Sequence, residues 1–209
     1  MQRDQNFWDE QMDLLAQQDY VIIDDFLTSE QLAIAHHFFD QKKAEDAFKK
    51  AAIGASGNSK VIQEIRGDYT YWIEREKDKE LASIFDVLDE VKAILNRMLF
   101  LSIADYEFHL AHYPKGSFYK KHLDQFDGRS NRMISMLVYL NENWKEGDGG
   151  ELRVYPEGKE FITIPPINNR CVMFRSDVLI HEVLVSHAPR KSITGWMLYQ
   201  PAALPYIAL

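Results

Sequence analysis

The sequence contains little that would form a disulfide framework, a membrane span or a nucleic-acid-binding surface. Cys171 is the single cysteine among 209 residues, which excludes an intrachain disulfide and a thiolate metal cluster. The first residues lack the apolar core of a signal peptide, and no apolar run approaches the ~20 residues needed to cross a bilayer. The formal net charge of −8 disfavours non-specific nucleic-acid binding, which needs a basic face. We therefore expect a cytoplasmic protein that binds neither nucleic acid nor membrane.

The composition is that of an ordinary globular domain. Hydrophobic residues make up 46% of the chain and charged residues 27%, and the length is enough to bury a sizeable core. No internal repeat or low-complexity linker divides the chain. We predict a single domain over residues 1–209, in which residues 1–100 supply helical support and a finger loop at about 56–74, and residues 101–209 form the core.

The first hundred residues are predicted to be mainly helical. Thr28 and Gln31 have the spacing of a capping box, which predicts a helix from that point. Apolar residues between 81 and 98 recur at three- and four-residue steps and give the strongest helical pattern in the chain. A short β-prone run covers residues 20–23. The predicted helices cover residues 6–17, 28–40, 43–52 and 81–98.

A break and a hairpin-like element separate these helices. Residues 54–59 are rich in glycine and serine and predict a flexible connection. Residues 61–64 and 69–73 are predicted to be two strands on either side of Arg66-Gly67-Asp68. Their composition favours a mobile finger. The alternative is a solvated turn in which Arg66 and Asp68 pair only with each other, which would contribute ~0–1 kcal/mol.

The second half of the chain changes from helical to β patterning. Short β-prone runs separated by glycine and proline turns indicate an antiparallel sandwich or barrel. The predicted fold class is therefore α+β with a mainly β core: a double-stranded β-helix, or jelly roll, buttressed by the N-terminal helices. The eight predicted strands cover residues 104–113, 117–122, 132–140, 151–155, 160–164, 171–175, 179–184 and 192–199.

His122 and Asp124 are the first candidates for chemistry. Alternate residues of a strand face the same side, so this imidazole and this carboxylate would lie together. Two histidines and one carboxylate with open positions opposite are typical of non-haem iron(II) oxygenases. A zinc hydrolase site with two histidines and one acid is the alternative.

A third ligand has to come from a distant strand. There are seven histidines. Helical neighbours point in different directions, and strand residues an odd number apart face opposite sides, so neither kind of pair can share a metal. These arguments set aside His36, His37, His109 and His112. From the residues alone, His181 and His187 both remain.

An arginine on the last predicted strand indicates what else the site would hold. Arg190, Ser192, Thr194 and Trp196 share one parity and would face one side of the strand. An inward guanidinium is costly unless it meets an anion, and Arg binds a carboxylate through two parallel hydrogen bonds. Tyr139 would add a hydroxyl. The equally open alternative places Arg190 in water at the mouth of the strand.

Several ordered motifs together make the sequence recognisable. The spacing of His122-x-Asp124, a distal histidine and an arginine nine positions beyond it resembles the 2-oxoglutarate- and iron(II)-dependent oxygenases. Within them it is most similar to the prolyl 4-hydroxylases, especially the hypoxia-inducible-factor prolyl hydroxylase branch and its bacterial relatives. The matching segments are Ile65-Arg66-Gly67-Asp68, Trp72-Ile73-Glu74, Tyr113-Pro114-Lys115-Gly116, Tyr119 to Asp124, Val138 to Asn141, Gly149 to Gly158, Arg175 to Val183 and Arg190 to Trp196.

The resemblance assigns roles to residues. It implies a surface position for His187, and the loop between Tyr113 and His122 is one residue shorter than in the family. The implied metal ligands are His122, Asp124 and His181. The implied 2-oxoglutarate-binding residues are Arg190, Tyr139, Thr194 and Tyr113, with Trp196 and Leu152 lining the pocket. The implied substrate contacts are Arg66 and Asp68.

The resemblance also implies a reaction. Iron(II), 2-oxoglutarate and dioxygen would be used to hydroxylate a prolyl residue of a protein, with release of succinate and carbon dioxide and with L-ascorbate as a candidate reductant. Bacterial relatives act on elongation factor Tu, so a bacterial cytoplasmic enzyme is expected. Two alternatives stay open: a hydroxylase of a free amino acid or small metabolite, and a non-catalytic sensor of 2-oxoglutarate or metal.

Overall fold

The helices follow the predicted order, with one correction. This computed structural model describes residues 3–51, 66–125 and 131–199, so the predicted break at 54–59 and the predicted strand at 61–64 lie outside the described residues. None of the helices within these ranges is long and apolar enough to span a membrane. The helices are α1 (Gln5–Gln18), α2 (Ser29–Ala44) and α3 (Ala82–Leu99), with a 3-10 turn at Lys79–Leu81 before α3.

Helix α2 begins at the predicted capping box and ends at Ala44, inside the first turn of the predicted second helix. The Thr28 hydroxyl accepts a hydrogen bond from the Gln31 amide, and the Gln31 side chain accepts one from the Thr28 amide. The helix predicted at 43–52 is wrong, because Lys49–Lys50 form an edge strand that pairs with Tyr69 and Thr70. Pairing with a distant strand outweighs the local helical preference there.

Eleven strands lie in the described residues, and all eight predicted for the second half of the chain are present. The last of them begins at Arg190, two residues earlier than predicted. The strands are β1 (Tyr20–Ile23), β2 (Lys49–Lys50), β3 (Tyr69–Trp72), β4 (Asp105–Tyr113), β5 (Tyr119–His122), β6 (Arg132–Tyr139), β7 (Leu152–Tyr155), β8 (Ile162–Ile164), β9 (Cys171–Arg175), β10 (Ile180–Val183) and β11 (Arg190–Leu198).

The strands form two antiparallel sheets that face each other as a jelly roll. The large sheet has the order β1-β9-β6-β11-β4-β3-β2, and the small sheet has the order β5-β10-β7-β8. The predicted α+β fold with a mainly β core is therefore confirmed. The large sheet includes three strands from the N-terminal part of the chain, so that region contributes to the sheet as well as to the helices.

The large sheet has an apolar core on each face. On strand β6, Met136 packs with the helices, whereas its neighbour Leu137 packs between the two sheets. Strand β4 divides in the same way at Leu110 and Ala111. This alternation follows from the two-residue repeat of a strand. Both faces of β6 are covered, which explains why most of its residues are apolar. The inner face of the large sheet is thus free to meet the small sheet, and the pocket described next lies there.

Candidate metal centre and adjoining pocket

Three predicted metal-binding residues lie together at one end of the small sheet. Strands β5 and β10 are neighbours, and His181 pairs directly opposite His122. Asp124 follows the end of β5 by two residues. The nearest ligand atoms of the three side chains lie within 4.8 Å of one another. His122 Nε2 is 3.4 Å from Asp124 Oδ1, and His181 Nε2 is 3.5 Å from Asp124 Oδ2.

Hydrogen bonds to backbone carbonyls orient both imidazoles. Nδ1 of His122 lies 2.7 Å from the Lys120 carbonyl oxygen, and Nδ1 of His181 lies 3.0 Å from that of Leu179. A carbonyl can only accept, so Nδ1 carries the proton in each ring. The lone pair on Nε2 then points toward the carboxylate of Asp124. This is the tautomer that a metal-binding histidine needs.

The electrostatics keep two of the three side chains, His181 and Asp124, in metal-binding protonation states. Burial lowers the pKa of His181 to about 4, although the Asp124 charge opposes this shift, so the ring is neutral at pH 7. Burial alone would raise the pKa of Asp124. Its neighbours His181 and His122 and a hydrogen bond from Ser135 outweigh burial and hold that pKa well below its usual range. His181 therefore offers a neutral nitrogen, and Asp124 offers a charged carboxylate.

These donors fit a divalent metal of the iron(II) type. Two ligand atoms at right angles around an ion bound at about 2.1 Å lie about 3 Å apart, close to the 3.4 Å between His122 Nε2 and Asp124 Oδ1. Two imidazoles and one carboxylate on one face are typical of non-haem iron(II). The opposite face of the trio opens into a pocket between the sheets, whose empty volume is about 470 Å³ when the open solvent at its mouth is included.

Most of the other predicted site residues line this pocket. Tyr139 and Asp68 do not: Tyr139 packs against Arg190, and Asp68 is bonded to Arg66. His187 is exposed and lies outside the pocket. Beside the metal trio, the predicted residues on the pocket wall are Arg66, Tyr113, Leu152, Arg190, Thr194 and Trp196.

Arg190 is buried and has hydrogen-bond donors without a partner. Its side chain comes from β11 in the large sheet, is 2% exposed, and lies over the rings of Tyr113 and Tyr139 at 4.7 and 4.9 Å. Among the described residues, Nε and Nη2 of Arg190 and the hydroxyl of Tyr139 have no hydrogen-bond partner. The alternative with Arg190 in water at the strand mouth is therefore wrong.

This end of the pocket is suited to a carboxylate. Leaving a buried donor unpaired costs ~1–3 kcal/mol, more for a charged group, so an anion that bonds to Arg190 recovers a large penalty. Burial raises the pKa of Tyr139, opposed by the neighbouring guanidinium, so its hydroxyl keeps its proton and can donate. Thr194 lies on the same wall, and its hydroxyl is 2.9 Å from that of Ser192.

Two glycines allow the backbone to pack closely around Arg190. Gly149 and Gly150 have φ of +70° and +74°, a conformation that favours glycine. A Cβ on Gly150 would lie 2.4 Å from Ser186 Oγ and 3.0 Å from Arg190 Cδ. A side chain at this position would therefore collide with the arginine and the serine beside it.

Arg66 and Asp68 form a buried ion pair beside the metal trio. Nε and Nη2 of Arg66 donate to the two Asp68 oxygens at 2.7 and 2.5 Å, and Asp68 is 1% exposed. The guanidinium lies 4.4 Å over the Tyr119 ring, which stacks on His122 at 3.7 Å. The two residues do pair with each other, but the alternative of a solvated turn is wrong because the pair is buried.

Three residues near the metal position were not identified from the sequence. His109 lines the pocket between Trp72 and Trp196, with ring centroids 4.8 and 5.6 Å away, and its parity with Tyr113 on β4 would have placed it there. Ser135 donates to Asp124, and Tyr119 stacks on His122. Ser135 was detectable as a small polar residue within an apolar strand.

Known proteins resemble this chain over almost its full length. The family model of the 2OG-Fe(II) oxygenase superfamily matches residues 108–198, which contain the metal trio and Arg190. A prolyl-4-hydroxylase of Pseudomonas putida is 30% identical, with a TM-score of 0.83, over 92% of this chain and 99% of that one. The chain belongs to the 2OG-Fe(II) oxygenase superfamily.

Other members of the superfamily place it near the prolyl hydroxylases. A prolyl hydroxylase of Trichoplax adhaerens, solved with a hypoxia-inducible-factor peptide fragment, is 25% identical with a TM-score of 0.85, and the match covers 94% of this chain and 91% of that one. Human Egl nine homolog 1 is 31% identical over 84% of this chain and 42% of its own length. The chain thus spans about two-fifths of the curated relatives it matches.

Proposed function

We propose that this chain is an iron(II)- and 2-oxoglutarate-dependent dioxygenase that hydroxylates a prolyl residue in a protein. In the balanced reaction, one oxygen atom of O₂ enters a prolyl C–H bond, the other enters succinate, and 2-oxoglutarate loses CO₂. The observation that carries the oxygenase chemistry is the buried Arg190, two of whose nitrogens have no partner in the described part of the chain. It lies on the wall of the same pocket as the His122, Asp124 and His181 trio.

Each end of the pocket has a separate task in this proposal. His122, Asp124 and His181 hold iron(II), which when bound supplies the activation of dioxygen and of the keto acid. Arg190, with Tyr139 and Thr194 beside it, holds the distal carboxylate of 2-oxoglutarate. Apolar side chains between the two ends exclude water, which limits wasteful side reactions. These residues are Leu137, Leu152, Phe174 and Val183.

A protein substrate is supported by the relatives and by the mouth of the pocket. The Pseudomonas and Trichoplax proteins are prolyl hydroxylases, and the latter was solved with a peptide. In this chain, Trp72 is 46% exposed and packs at a tilt against the pocket residue His109, which gives an aromatic surface for an extended peptide. Elongation factor Tu is the first candidate substrate, because bacterial relatives in the resembling family act on it.

Mass spectrometry of a bacterial cytoplasmic extract tests the proposal directly. The extract is treated with iron-loaded protein, 2-oxoglutarate, ascorbate and air, and the matched control is the Asp124→Ala variant. We expect one prolyl peptide to gain one oxygen atom only with the unaltered protein, and we first inspect the prolyl peptides of elongation factor Tu. Purified elongation factor Tu then serves as a defined substrate.

Other outcomes would replace the proposal with a named alternative. Succinate formed only after free amino acids or small metabolites are added, with no oxidised peptide, would make the chain a small-molecule hydroxylase. Binding of 2-oxoglutarate with no succinate under any of these conditions would make it a sensor. A hydroxylated protein other than elongation factor Tu would keep the reaction and change the substrate.

A further inference from the structure

Two buried serine hydroxyls lie behind the carboxylate of Asp124. Ser135 is on β6 and Ser176 directly follows β9, so both belong to the large sheet, opposite the small sheet that carries the histidines. Ser135 is 1% exposed and Ser176 is 0% exposed. Ser135 Oγ lies 2.6 Å from Asp124 Oδ2 and 2.8 Å from Ser176 Oγ. The three groups form a short chain of hydrogen bonds that ends on the metal-binding carboxylate.

The direction of this chain of hydrogen bonds follows from the number of protons. An ionised carboxylate only accepts, so Ser135 must give its single hydroxyl proton to Asp124. The oxygen of Ser135 is then the acceptor for the hydroxyl of Ser176. The bond to the charged oxygen is the stronger one, and a donor behind Ser135 polarises it further. Ser176 therefore supports Ser135, and Ser135 supports Asp124.

Backbone contacts hold both serines in place. In the large sheet Ser135 pairs with Trp196 on one side and Phe174 on the other. The Ser176 amide donates to the Met133 carbonyl at 3.1 Å, and the Ser176 carbonyl accepts from the Gln125 amide at 3.0 Å. Ser176 thus also holds the residue that follows Asp124.

Asp124 needs this support more than the histidines do. The two histidines are oriented by carbonyls of their own small-sheet segments, at Lys120 and Leu179. Asp124 lies beyond the end of β5, where the ladder of the small sheet no longer fixes the backbone. A free aspartate side chain would rotate between rotamers and offer a metal either one oxygen or both.

We propose that Ser135, backed by Ser176, is a positioning residue that keeps Oδ2 of Asp124 away from the metal. The carboxylate then binds through Oδ1 alone, and three positions on the ion stay open. This inference rests on the metal site of the proposed function, and it is independent of the prolyl substrate. Hydrogen-bonded partners of metal ligands typically contribute 10–100-fold to metal affinity.

Metal binding to full-length variants tests this proposal without any turnover. We would measure Mn(II) affinity by calorimetry, and count the waters on bound Mn(II) from the relaxation rate of solvent protons. Ser135→Ala is expected to lower the affinity ~10–100-fold. It should also lower the water relaxation by about one-third, because a second carboxylate oxygen takes one of three open positions.

Companion variants separate the hydroxyl from the volume of the side chain. Ser135→Thr keeps the hydroxyl and is expected to restore both readouts, whereas Ser176→Ala should have a smaller effect than Ser135→Ala. Ser117→Ala is the matched control, because Ser117 is also buried but its hydroxyl donates to the Gly67 carbonyl. Thermal unfolding of each metal-free variant checks that the chain has folded.

Two outcomes would overturn the proposed role of Ser135. Unchanged Mn(II) affinity and relaxation in a folded Ser135→Ala variant would show that Ser135 does not position the carboxylate. An equal loss in Ser135→Thr would attribute the effect to packing. Prolyl hydroxylation by the unaltered chain would leave the proposed function standing in either case, whereas failure of the unaltered chain to bind Mn(II) or Fe(II) would overturn both proposals.

Discussion

The two ends of the pocket differ in how many of their polar groups find a hydrogen-bond partner within the protein. At the metal end, Nδ1 of each histidine has a carbonyl partner and Oδ2 of Asp124 has a hydroxyl partner. At the other end, two nitrogens of Arg190 and the hydroxyl of Tyr139 have no partner among the described residues. The protein therefore organises the metal ligands by itself and leaves the carboxylate clamp to be completed by an anion.

The difference has an energetic reason. Holding a ligand set in place before the metal binds lowers the entropy cost of binding, and the hydrogen bonds that do so are buried and cheap to keep. A buried guanidinium without an anion raises the energy of the anion-free protein. We therefore expect the residues of the clamp end to lower the stability of the protein while they raise its affinity for 2-oxoglutarate. We expect no such loss of stability at the metal end. The predictions below test this contrast, beginning with the largest effect.

Removing a metal ligand should have the largest effect. We expect His181→Ala to lower succinate formation by more than ~1,000-fold, because loss of a ligand from a three-residue site removes the metal and its chemistry. Metal content after desalting and succinate formation are the two measurements. His187→Ala is the control, since His187 is exposed and outside the pocket, and it should retain full activity. Substantial activity in His181→Ala would contradict the ligand assignment.

Removing the clamp arginine should separate affinity from stability. In Arg190→Met, 2-oxoglutarate affinity is expected to fall by ~10²–10³-fold, as when one partner of a buried ion pair is lost. The melting temperature of the protein without 2-oxoglutarate should stay the same or rise, because an unpaired buried charge has been removed. Calorimetry and thermal unfolding measure the two effects.

Arg132 provides the contrast for that experiment. It is 7% exposed and bonds to Glu107 at 2.8 Å, so Arg132→Met removes a buried ion pair. We expect the free energy of unfolding of this variant to fall by ~1–3 kcal/mol, so that it unfolds at a lower temperature. If Arg190→Met destabilises the protein as much as Arg132→Met does, the clamp is structural and the comparison fails.

The hydroxyl of Tyr139 should contribute less than the guanidinium. Tyr139→Phe keeps the ring against Arg190 and removes one donor, so the KM for 2-oxoglutarate is expected to rise ~3–10-fold, with kcat little changed. Stability without 2-oxoglutarate should not decrease, because the hydroxyl has no hydrogen-bond partner among the described residues. An unchanged KM would confine the clamp to Arg190 and the side chains around it.

The last prediction is a pH dependence of stability that arises from histidines outside the metal trio. Burial lowers the pKa of His109 to about 3, and burial lowers that of His112 to about 4, helped by Lys43 and Lys191. The unfolded chain, with histidine pKa near ~6.5, binds more protons than the folded chain in this range, so stability is complete above ~6.5 and is lost as pH falls toward 4.

Urea unfolding of the metal-free protein at several pH values between 7.5 and 4.5 measures this loss. A His109→Leu variant should show a shallower decline than the unaltered chain, because one of the three histidines whose pKa is lowered by burial no longer titrates. A decline of unchanged slope would mean that other groups carry the acid sensitivity. Nuclear magnetic resonance titration of His109 gives its pKa directly.

Local patterns in the sequence predicted the parts of the site whose residues lie close together along the chain. The spacing of His122 and Asp124, and that of Arg190, Thr194 and Trp196, fixes which side chains share a face, and the structure places each set on the pocket wall. Strand parity depends only on neighbouring residues, so it could be applied without knowledge of the fold.

Features that depend on pairing between distant strands could not be predicted in this way. His181 and His187 were equivalent by pattern, and only the pairing of β10 with β5 brings one of them opposite His122. The helix predicted over residues 43–52 failed because Lys49 and Lys50 pair with β3. Ser135 was overlooked because its partner Asp124 belongs to a segment beyond the facing sheet.

The Gly149–Gly150 turn gives a way to adjust the clamp without altering any group that touches a ligand. A methyl group on Gly150 would press on Arg190 Cδ and on Ser186, so it would displace the arginine side chain. Gly150→Ala would tilt the guanidinium while leaving its charge intact, and Gly149→Ala would instead meet the Val185 carbonyl. Substitutions in this turn could therefore raise the concentration of keto acid that engineered versions of this chain need for activity.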